Sequence, residues 1–321
     1  MKNILITGIT GQDGLFLTSK LLKMDVPIKI TGISRQYNLD TFYSNLKSLG
    51  NKDFSSLQIL NIDLLKYDDI LKFISEVKPD EIYNFSGPSS VYDSILNPSI
   101  SKYQIITIFD NLINACIESK NLVSFFQASS SEIYSSSSDV PIDEETEPMT
   151  NSPYAEAKLA NHLKIQKLNE DFNWNIISGI MFNHESEFRG KKYLISKIIN
   201  SARNIKEHKE TELVIGSLEY IRDWSFAGDI VNSIYELMRL KSSGAYVIGS
   251  GVGNSIETLV NLVFSYFDLE YTEYVKIDDT LLRKGDPIVK IANPKKLKDL
   301  SKLETYLSFD NLIVRCIEKT C

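Results

Sequence analysis

The chain has 321 residues, of which 43% are hydrophobic and 24% charged, and its formal net charge is −7. That length and apolar content suit one large α/β unit, or a core domain carrying a smaller lobe. The acidic balance excludes nonspecific binding to nucleic acid, and no apolar run is long enough to span a bilayer, so neither nucleic acid nor membrane is an expected partner.

Residues 3–7 are a short apolar run that predicts a buried parallel strand. The run enters GITGQDG, with glycines at Gly8, Gly11 and Gly14, and an apolar helical pattern follows through Leu15, Leu17, Leu21 and Leu22. Strand, glycine turn and helix form the context a dinucleotide-binding loop requires. Gly8 permits the tight turn, Gly11 lets the backbone approach a pyrophosphate, and Gly14 lets helix and strand pack closely. Free N–H groups at the helix start then face the phosphates. The turn residues Gly8, Thr10, Gly11, Gln12, Asp13 and Gly14 are assigned to the cofactor. The apolar stretch is too short for a signal peptide.

A second strand at 28–33 ends in Ser34-Arg35-Gln36, where such a fold reads the adenosine ribose. An acidic residue there binds a 2′-hydroxyl, whereas Arg suits a 2′-phosphate, so Arg35 leans toward NADP. A solvated loop Arg reads nearly as well. Residues 37–56 are a polar insertion with no clear pattern. The run 57–61 predicts the third strand, with Asp63 and Leu64 at its end, where a carboxylate can accept from an adenine amino group. A helix is predicted over 68–77 and a strand over 81–85. The small residues after it, Ser86, Gly87, Pro88, Ser89 and Ser90, let a cofactor lie close to the backbone. Phe85, Ser86, Gly87 and Ser89 are assigned to it.

Over 99–118 a helix carries Ile105, Ile106, Phe109, Leu112, Ile113 and Cys116 on one face, either core or a dimer contact. The strand at 122–128 delivers Ser130 and Glu132, which alternate with Ser129 and Ser131 and so point to one side. Tyr154 and Lys158, four apart, share a helical face. A Lys ammonium beside a phenol lowers its pKa and yields a base for an alcohol proton. An ordinary surface pair gives the same letters. The acidic run 143–147 reads as a solvated loop.

The strand at 175–182 ends in Asn183, His184, Glu185 and Ser186. Helices follow at 191–206 and 229–240, with strand and turn character over 216–226 and a strand at 245–248. A helix at 255–267 has Ser255 as its cap. The rest, from Tyr271, is irregular except for short helices near Pro294 and Phe309. Cys116, Cys316 and Cys321 lack metal-ligand spacing and give no disulfide framework, which points to a reducing cytosol. His162, His184 and His208 are too scattered for zinc, and no metal is expected.

These elements predict a doubly wound, Rossmann-type parallel sheet with a smaller, mixed α/β C-terminal lobe. Residues 1–182 with 227–252 form the expected cofactor domain, and 183–226 with 253–321 the substrate lobe. Ser86, Ser130, Glu132 and Asn183 all follow strands at the edge where ligands bind.

The glycine loop with Tyr154-x-x-x-Lys158 resembles the extended short-chain dehydrogenase/reductase superfamily, and within it the GDP-mannose 4,6-dehydratase family. GITGQDG at 8–14, FFQASSSEIY at 125–134, SPYAEAKL at 152–159, MFNHESEFRG at 181–190 and RDWSFAGD at 222–229 carry the resemblance. It implies that Ser130 stands for the family's catalytic Thr and Glu132 for its acid/base Glu. Tyr154 and Lys158 take the places of the family Tyr and Lys. His184, Arg189, Asp63, Leu64 and residues 85–89 match cofactor contacts. Asn183, Lys197, Arg222 and Arg283 match positions that hold the nucleotide sugar. A solvated Lys197 or Arg283, and an Arg222–Asp223 ion pair, are the competing readings.

The implied activity converts a GDP-hexose, GDP-mannose first, to its 4-keto-6-deoxy sugar through tightly bound NADP, in a homodimer or homotetramer. Ser130 for Thr, Pro88 for Gln, Ser90 for His, Ile100 for Tyr and Gln36 for a second Arg depart from the family pattern. They leave another GDP-hexose or a GDP-heptose open as substrate. A 4-reductase or epimerase is disfavoured by Glu132. A non-catalytic nucleotide-binding regulator is disfavoured by the intact Ser130, Glu132, Tyr154 and Lys158.

Overall fold

The computed structural model describes residues 1–35, 39–135, 141–240, 242–283, 285–301 and 306–319. Gln36, the start of the polar insertion and Ser136 to Ser138 lie outside them. The first half alternates strand and helix: β1 (Lys2–Thr7), α1 (Gln12–Leu22), β2 (Ile28–Ile33), α2 (Asp40–Ser48), β3 (Leu57–Leu60) and α3 (Tyr67–Val77). Next come β4 (Glu81–Asn84), α4 (Val91–Leu96), α5 (Pro98–Glu118), β5 (Ser124–Ala128), α6 (Pro153–Phe172) and β6 (Ile176–Met181). The second half contains β7 (Asn183–Glu185), α7 (Leu194–Lys206), β8 (Leu213–Ile215), β9 (Ile221–Phe226), α8 (Ala227–Arg239) and β10 (Gly244–Ile248). It closes with β11 (Gly253–Ser255), α9 (Ile256–Tyr266), α10 (Tyr271–Tyr274), β12 (Val275–Ile277), β13 (Val289–Lys290), α11 (Lys295–Leu300) and α12 (Phe309–Lys319).

Seven strands pair in parallel in the order β10-β6-β5-β4-β1-β2-β3. This is the doubly wound, Rossmann-type sheet. Side chains alternate across each strand, and both faces are covered. Ile4 and Ile6 pack toward α1 and α8, while Leu5 packs toward α3 and α5. Both sets are buried, which is why the β1 sequence is continuously apolar rather than alternating. The strand order reverses between β1 and β4, so a crevice opens at their carboxyl ends.

The apolar stripe of α5 lies in this core: Phe109, Leu112, Ile113 and Cys116 are fully buried. Ser152 caps α6 by accepting from the Ala155 N–H at 3.2 Å, and Pro153 follows in the first turn. Asn173, at φ 47°, ends the helix in the left-handed conformation.

In the second half β9 is the hub. It pairs antiparallel with β11 and in parallel with β7 and β13. β8 pairs with β12, and helices α7, α9 and α12 enclose a separate apolar core around Ile198, Val260, Phe264 and Leu312. The sequence pattern misses α2, α4, β12 and β13, because elements this short carry too few residues to show a period. Ser255 does cap α9, accepting from the Thr258 N–H at 3.0 Å. Among the described residues no helix is long and apolar enough to cross a membrane.

Gly179 lies inside β6 beside Ala128 of β5. A Cβ there would sit 2.3 Å from Cζ of the buried Phe126 ring. Gly179→Ala is therefore expected to cost ~1–3 kcal/mol of stability through overpacking, read as a lower urea midpoint with an unchanged slope. A wild-type midpoint would show that the ring moves aside freely.

Candidate active site

The glycine loop lines a cavity of about 570 Å³ at the β1–β4 crevice. Gly8 has φ +69°, and a Cβ on it would lie 2.9 Å from the Phe85 backbone. A Cβ on Gly14 would lie 2.6 Å from the Ile9 backbone. Neither position admits a side chain, so the turn keeps its backbone bare toward the cavity. Thr10, Gly11, Gln12 and Asp13 line the same space. Arg35 is exposed at the β2 end of the cavity, and Asp63 and Leu64 line it after β3. One Asp63 oxygen accepts from the Leu65 N–H at 3.1 Å. Phe85, Ser86, Gly87 and Ser89 form the wall after β4. A helix N-terminus, a bare glycine turn and an Arg at the second strand end fit a phosphorylated dinucleotide.

A second cleft, of about 700 Å³, adjoins this cavity and shares Phe85 to Ser89 and Arg189 with it. Ser130, Glu132, Tyr154 and Lys158 all open onto it. The strand alternation expected for Ser130 and Glu132 is not what brings them together. β5 stops at Ala128, and residues Ser131–Tyr134 form a 3₁₀ turn capped by Ser130, whose hydroxyl accepts from the Glu132 N–H at 3.2 Å. The turn puts both side chains in the cleft.

Lys158 is buried, and its ammonium donates to the Ala128 carbonyl at 2.8 Å and stands 5.5 Å from the Tyr154 ring centre. Burial brings its pKa down to about 8. The lowered Tyr154 pKa expected from the sequence is not found. Burial pushes the phenol well above its ordinary value, and the hydrogen bond to Ser130 and the Arg189 charge only partly offset this. Beneath these groups runs a buried polar ladder. Thr7 donates to Asn84 at 2.6 Å, Asn84 to Gln127 at 2.7 Å, and Gln127 to the Ala128 carbonyl at 3.1 Å.

The far wall of the cleft is ionic. Arg222 is buried and pairs with Asp286 at 3.0 Å while donating to the Ile221 and Ile288 carbonyls. It does not pair with Asp223, whose carboxylate accepts from Ser250 and Gly251 instead. Arg283 reaches Asp286 at 2.9 Å and Glu132 at 3.5 Å. Lys290, whose side chain is 2% exposed, holds Glu132 at 2.8 Å. Burial alone would raise the Glu132 pKa, but the Lys290 and Arg283 charges bring it below the ordinary value. Asn183 lines the cleft, whereas Lys197 does not: it is exposed, and its ammonium donates to the Val214 carbonyl at 2.8 Å. Sequence reasoning missed Lys290, Asp286 and Tyr193. A charged residue inside the run Ile288, Val289, Lys290, Ile291 was the available signal, since a lysine buried there demands a carboxylate.

Pro88 and Ser90 both line the cleft, and Ser90 caps α4. Ile100 lines neither space and is 58% exposed. Tyr193 bridges to Ser89 at 2.9 Å and lies 3.7 Å beneath the Arg189 guanidinium.

A clasp joins the glycine loop to the segment after β6. Gln12 donates to the His184 carbonyl at 3.1 Å and accepts from Ser186 at 2.7 Å. His184 Nε2 faces Asp13 at 3.0 Å while Nδ1 bonds the Phe182 carbonyl at 2.7 Å. Burial alone would lower the His184 pKa; the Asp13 charge and hydrogen bond, with the Phe182 carbonyl, together outweigh it, and the value is raised. Burial would raise that of Asp13; the His184 charge and hydrogen bond, with the Arg189 charge and the Gln12 hydrogen bond, together outweigh it, and the value is lowered. A raised imidazole contributes stability in full below its unfolded pKa and loses it as pH climbs through the folded value. A lowered carboxylate contributes above its unfolded pKa. The melting-temperature gap between wild type and Asp13→Asn is therefore expected to be widest between about pH 5 and 6.5 and to narrow on the alkaline side. A gap that stays flat to alkaline pH would contradict a charged His184.

The model of the GDP-mannose 4,6 dehydratase family matches residues 5–316. GDP-mannose 4,6 dehydratase 2 of Arabidopsis thaliana is 30% identical, over 99% of this chain and 86% of its own length. The Drosophila melanogaster GDP-mannose 4,6 dehydratase is 33% identical over 92% of this chain and 76% of its own. Among solved structures, RMD from Pseudomonas aeruginosa complexed with NADPH superposes with a TM-score of 0.82 at 18% identity, covering 100% of this chain and 99% of that one. A dTDP-glucose 4,6-dehydratase from Bacillus anthracis in complex with NAD gives 0.84 at 18%, covering 99% and 96%. These two show the fold. The chain belongs to the GDP-mannose 4,6-dehydratase family, hydro-lyases with the extended short-chain dehydrogenase/reductase fold.

Proposed function

We propose that the protein dehydrates a GDP-hexose, GDP-mannose first, to the GDP-4-keto-6-deoxy sugar, with NADP as its resident cofactor. The observation that carries this reading is the cleft itself: Ser130, Glu132, Tyr154 and Lys158 open on one space that adjoins the glycine-loop cavity and is walled by Arg222 and Arg283. The family relationship supports it.

In this reading Gly8, Thr10, Gly11, Gln12, Asp13 and Gly14 hold the pyrophosphate, Arg35 the 2′-phosphate, and Asp63, Leu64 and residues 85–89 the adenine side. NADP, when bound, would supply the chemistry of taking up a hydride from the sugar and giving it back. Tyr154 takes the C4 hydroxyl proton, while the Lys158 ammonium stabilises the phenolate and Ser130 holds the C4 oxygen. The resulting ketone acidifies the C5 proton, which Glu132 removes. Glu132 then protonates the departing C6 hydroxyl, which leaves as water, and a proton returns to C5. Arg283 and Arg222 face the nucleotide diphosphate, with Asn183 at the sugar. His184 supports the cofactor site through its clasp to Asp13, and Arg189 lies between the two spaces. Residues 1–182 with 227–252 serve the cofactor, and 183–226 with 253–321 the nucleotide sugar. Pro88 and Ser90 bear on the choice between a hexose and a heptose.

The same reading has the chain work in the cytosol as a homodimer or homotetramer. Among the described residues Cys116 and Cys316 are buried and not joined in a disulfide, in keeping with a reducing compartment. Tyr92, Ile95, Leu96, Ile100 and Tyr103 are exposed on α4 and the start of α5 and offer an apolar contact surface. Light scattering is expected to give the mass of two or four chains, and Leu96→Glu to shift it toward one.

Incubation with GDP-mannose and NADP⁺ is expected to yield a product lighter by one water, with no net NADPH. Run in D₂O, the reaction places deuterium at C5. Glu132→Gln is expected to lower kcat by ~10²–10⁴-fold. Inactivity on GDP-mannose and on every GDP-hexose and GDP-heptose tried would overturn the reading.

A further inference from the structure

Lys290 stands behind the cleft rather than in it. It lies on the two-residue strand β13, directly across from Arg222 of β9. Its side chain is 2% exposed, and among the described residues its ammonium has one hydrogen-bond partner, Oε1 of Glu132 at 2.8 Å. A lysine taken out of water is retained only where its charge is matched. Nothing in the packing of β13 on β9 requires an ammonium there, since the neighbouring Val289 and Ile291 are apolar.

The two oxygens of Glu132 differ. Oε1 is tied to Lys290. Oε2 has no hydrogen-bond partner among the described residues and lies 3.5 Å from Arg283. The two cations differ as well. Arg283 is 36% exposed and shared with Asp286, whereas Lys290 is fixed in the interior. An arginine that turns toward a bound diphosphate withdraws its charge from Glu132 just when that carboxylate must act. Lys290 has nowhere else to go.

We propose that Lys290 is a positioning residue for the acid–base carboxylate: it anchors Oε1, dedicates Oε2 to the substrate, and keeps Glu132 matched by a cation when Arg283 engages the nucleotide. The groups facing Glu132 are Lys290 and Arg222 from the β9 sheet, Arg283 with Asp286 from the segment before β13, and Tyr154 with Ser130 from the α6 and β5 side. The lowered Glu132 pKa, in which the Lys290 charge is the foremost effect opposing burial, agrees with this.

This inference rests on the dehydratase reading for its chemistry. Oε2 forms a bond to the C5 proton as the C–H pair moves into the ketone. The neutral acid then delivers that proton to the C6 hydroxyl, which departs with its bonding pair as water. Glu132 returns to the carboxylate, and Lys290 keeps its proton throughout.

The test compares Lys290→Met, Lys290→Gln and Lys290→Arg in the full chain. In Lys290→Met the acidic limb of the kcat/KM profile with GDP-mannose is expected to move to higher pH, with KM little changed. Activity at pH 6 is expected to fall by roughly tenfold or more, short of the loss in Glu132→Gln. Lys290→Arg is expected to restore the limb. Lys290→Gln replaces the Met variant if that chain does not fold. A second readout needs no substrate: carboxyl-¹³C NMR of labelled glutamate, with the Glu132 signal assigned by its absence in Glu132→Gln. Its titration midpoint is expected to rise in Lys290→Met. An unmoved midpoint and an unmoved limb in a folded variant would overturn the proposal. If the wild type dehydrates no sugar, the dehydratase reading falls, while the NMR midpoint still decides whether Lys290 governs Glu132.

Discussion

One buried hydrogen bond, from the Lys158 ammonium to the Ala128 carbonyl, fixes the geometry on which the cleft depends. An ammonium removed from water must find oxygen acceptors. A parallel sheet offers them where a strand ends and its last carbonyls leave the ladder. Lys158 therefore pins α6 against the end of β5, and Tyr154, one turn earlier on the same helical face, is brought to Ser130. The same carbonyl accepts from Gln127, the last rung of the ladder that ties Thr7, Asn84 and Gln127 across three neighbouring strands. The strand ends are held level by side chains as well as by backbone pairing, so the floor of the site is stiff.

Across the cleft the chain builds a different kind of wall. Arg222, Arg283 and Lys290 set three positive charges against two carboxylates, Asp286 and Glu132. Each carboxylate bridges two cations. Such networks stabilise little on net, but removing one member leaves another charge stranded in the interior. The two arginines and the two carboxylates line the cleft, and Lys290 supplies the third cation from behind it. Floor and wall thus divide the work: a buried ammonium and a hydrogen-bonded ladder position the phenol, and an ion network positions the carboxylate.

What the sequence discloses follows how local each constraint is. The glycine loop is legible because its three glycines fall within seven residues, although only Gly14 answers to backbone inside the loop, at Ile9, while Gly8 answers to the Phe85 backbone after β4. The alternation of strands and helices is legible because both faces of the sheet are buried and the strands read as unbroken apolar runs. Ser130 and Glu132 do share one cleft, but for a different reason than strand alternation, since the 3₁₀ turn has no signature in SSSEIY. The Tyr154 pKa is misread because depth of burial is a property of the assembled fold. Lys197 stays undecided in the sequence because a helical lysine does not announce where its ammonium reaches; here it reaches the Val214 carbonyl. Lys290 and Asp286 stay hidden because the strand that carries Lys290 is two residues long and finds β9 only through tertiary pairing.

The clasp between the glycine loop and the segment after β6 has a bearing on how molecules enter and leave. Phe182 bonds the β10 strand through its N–H at 2.9 Å, β7 pairs with β9, and Gln12 and Asp13 grip residues 184 and 186 from the other side. A clamshell opening about this crossover would have to break all of these at once. Traffic is left to the mouth, where Tyr193 meets Ser89 and Lys192 meets Asp93 at 2.6 Å across exposed side chains. Such a latch opens by rotamer changes, on the ps–ns scale of exposed side chains rather than the μs–ms scale of hinge motions. Access to the cleft is then a matter of side-chain rotation at its mouth rather than the swing of a domain.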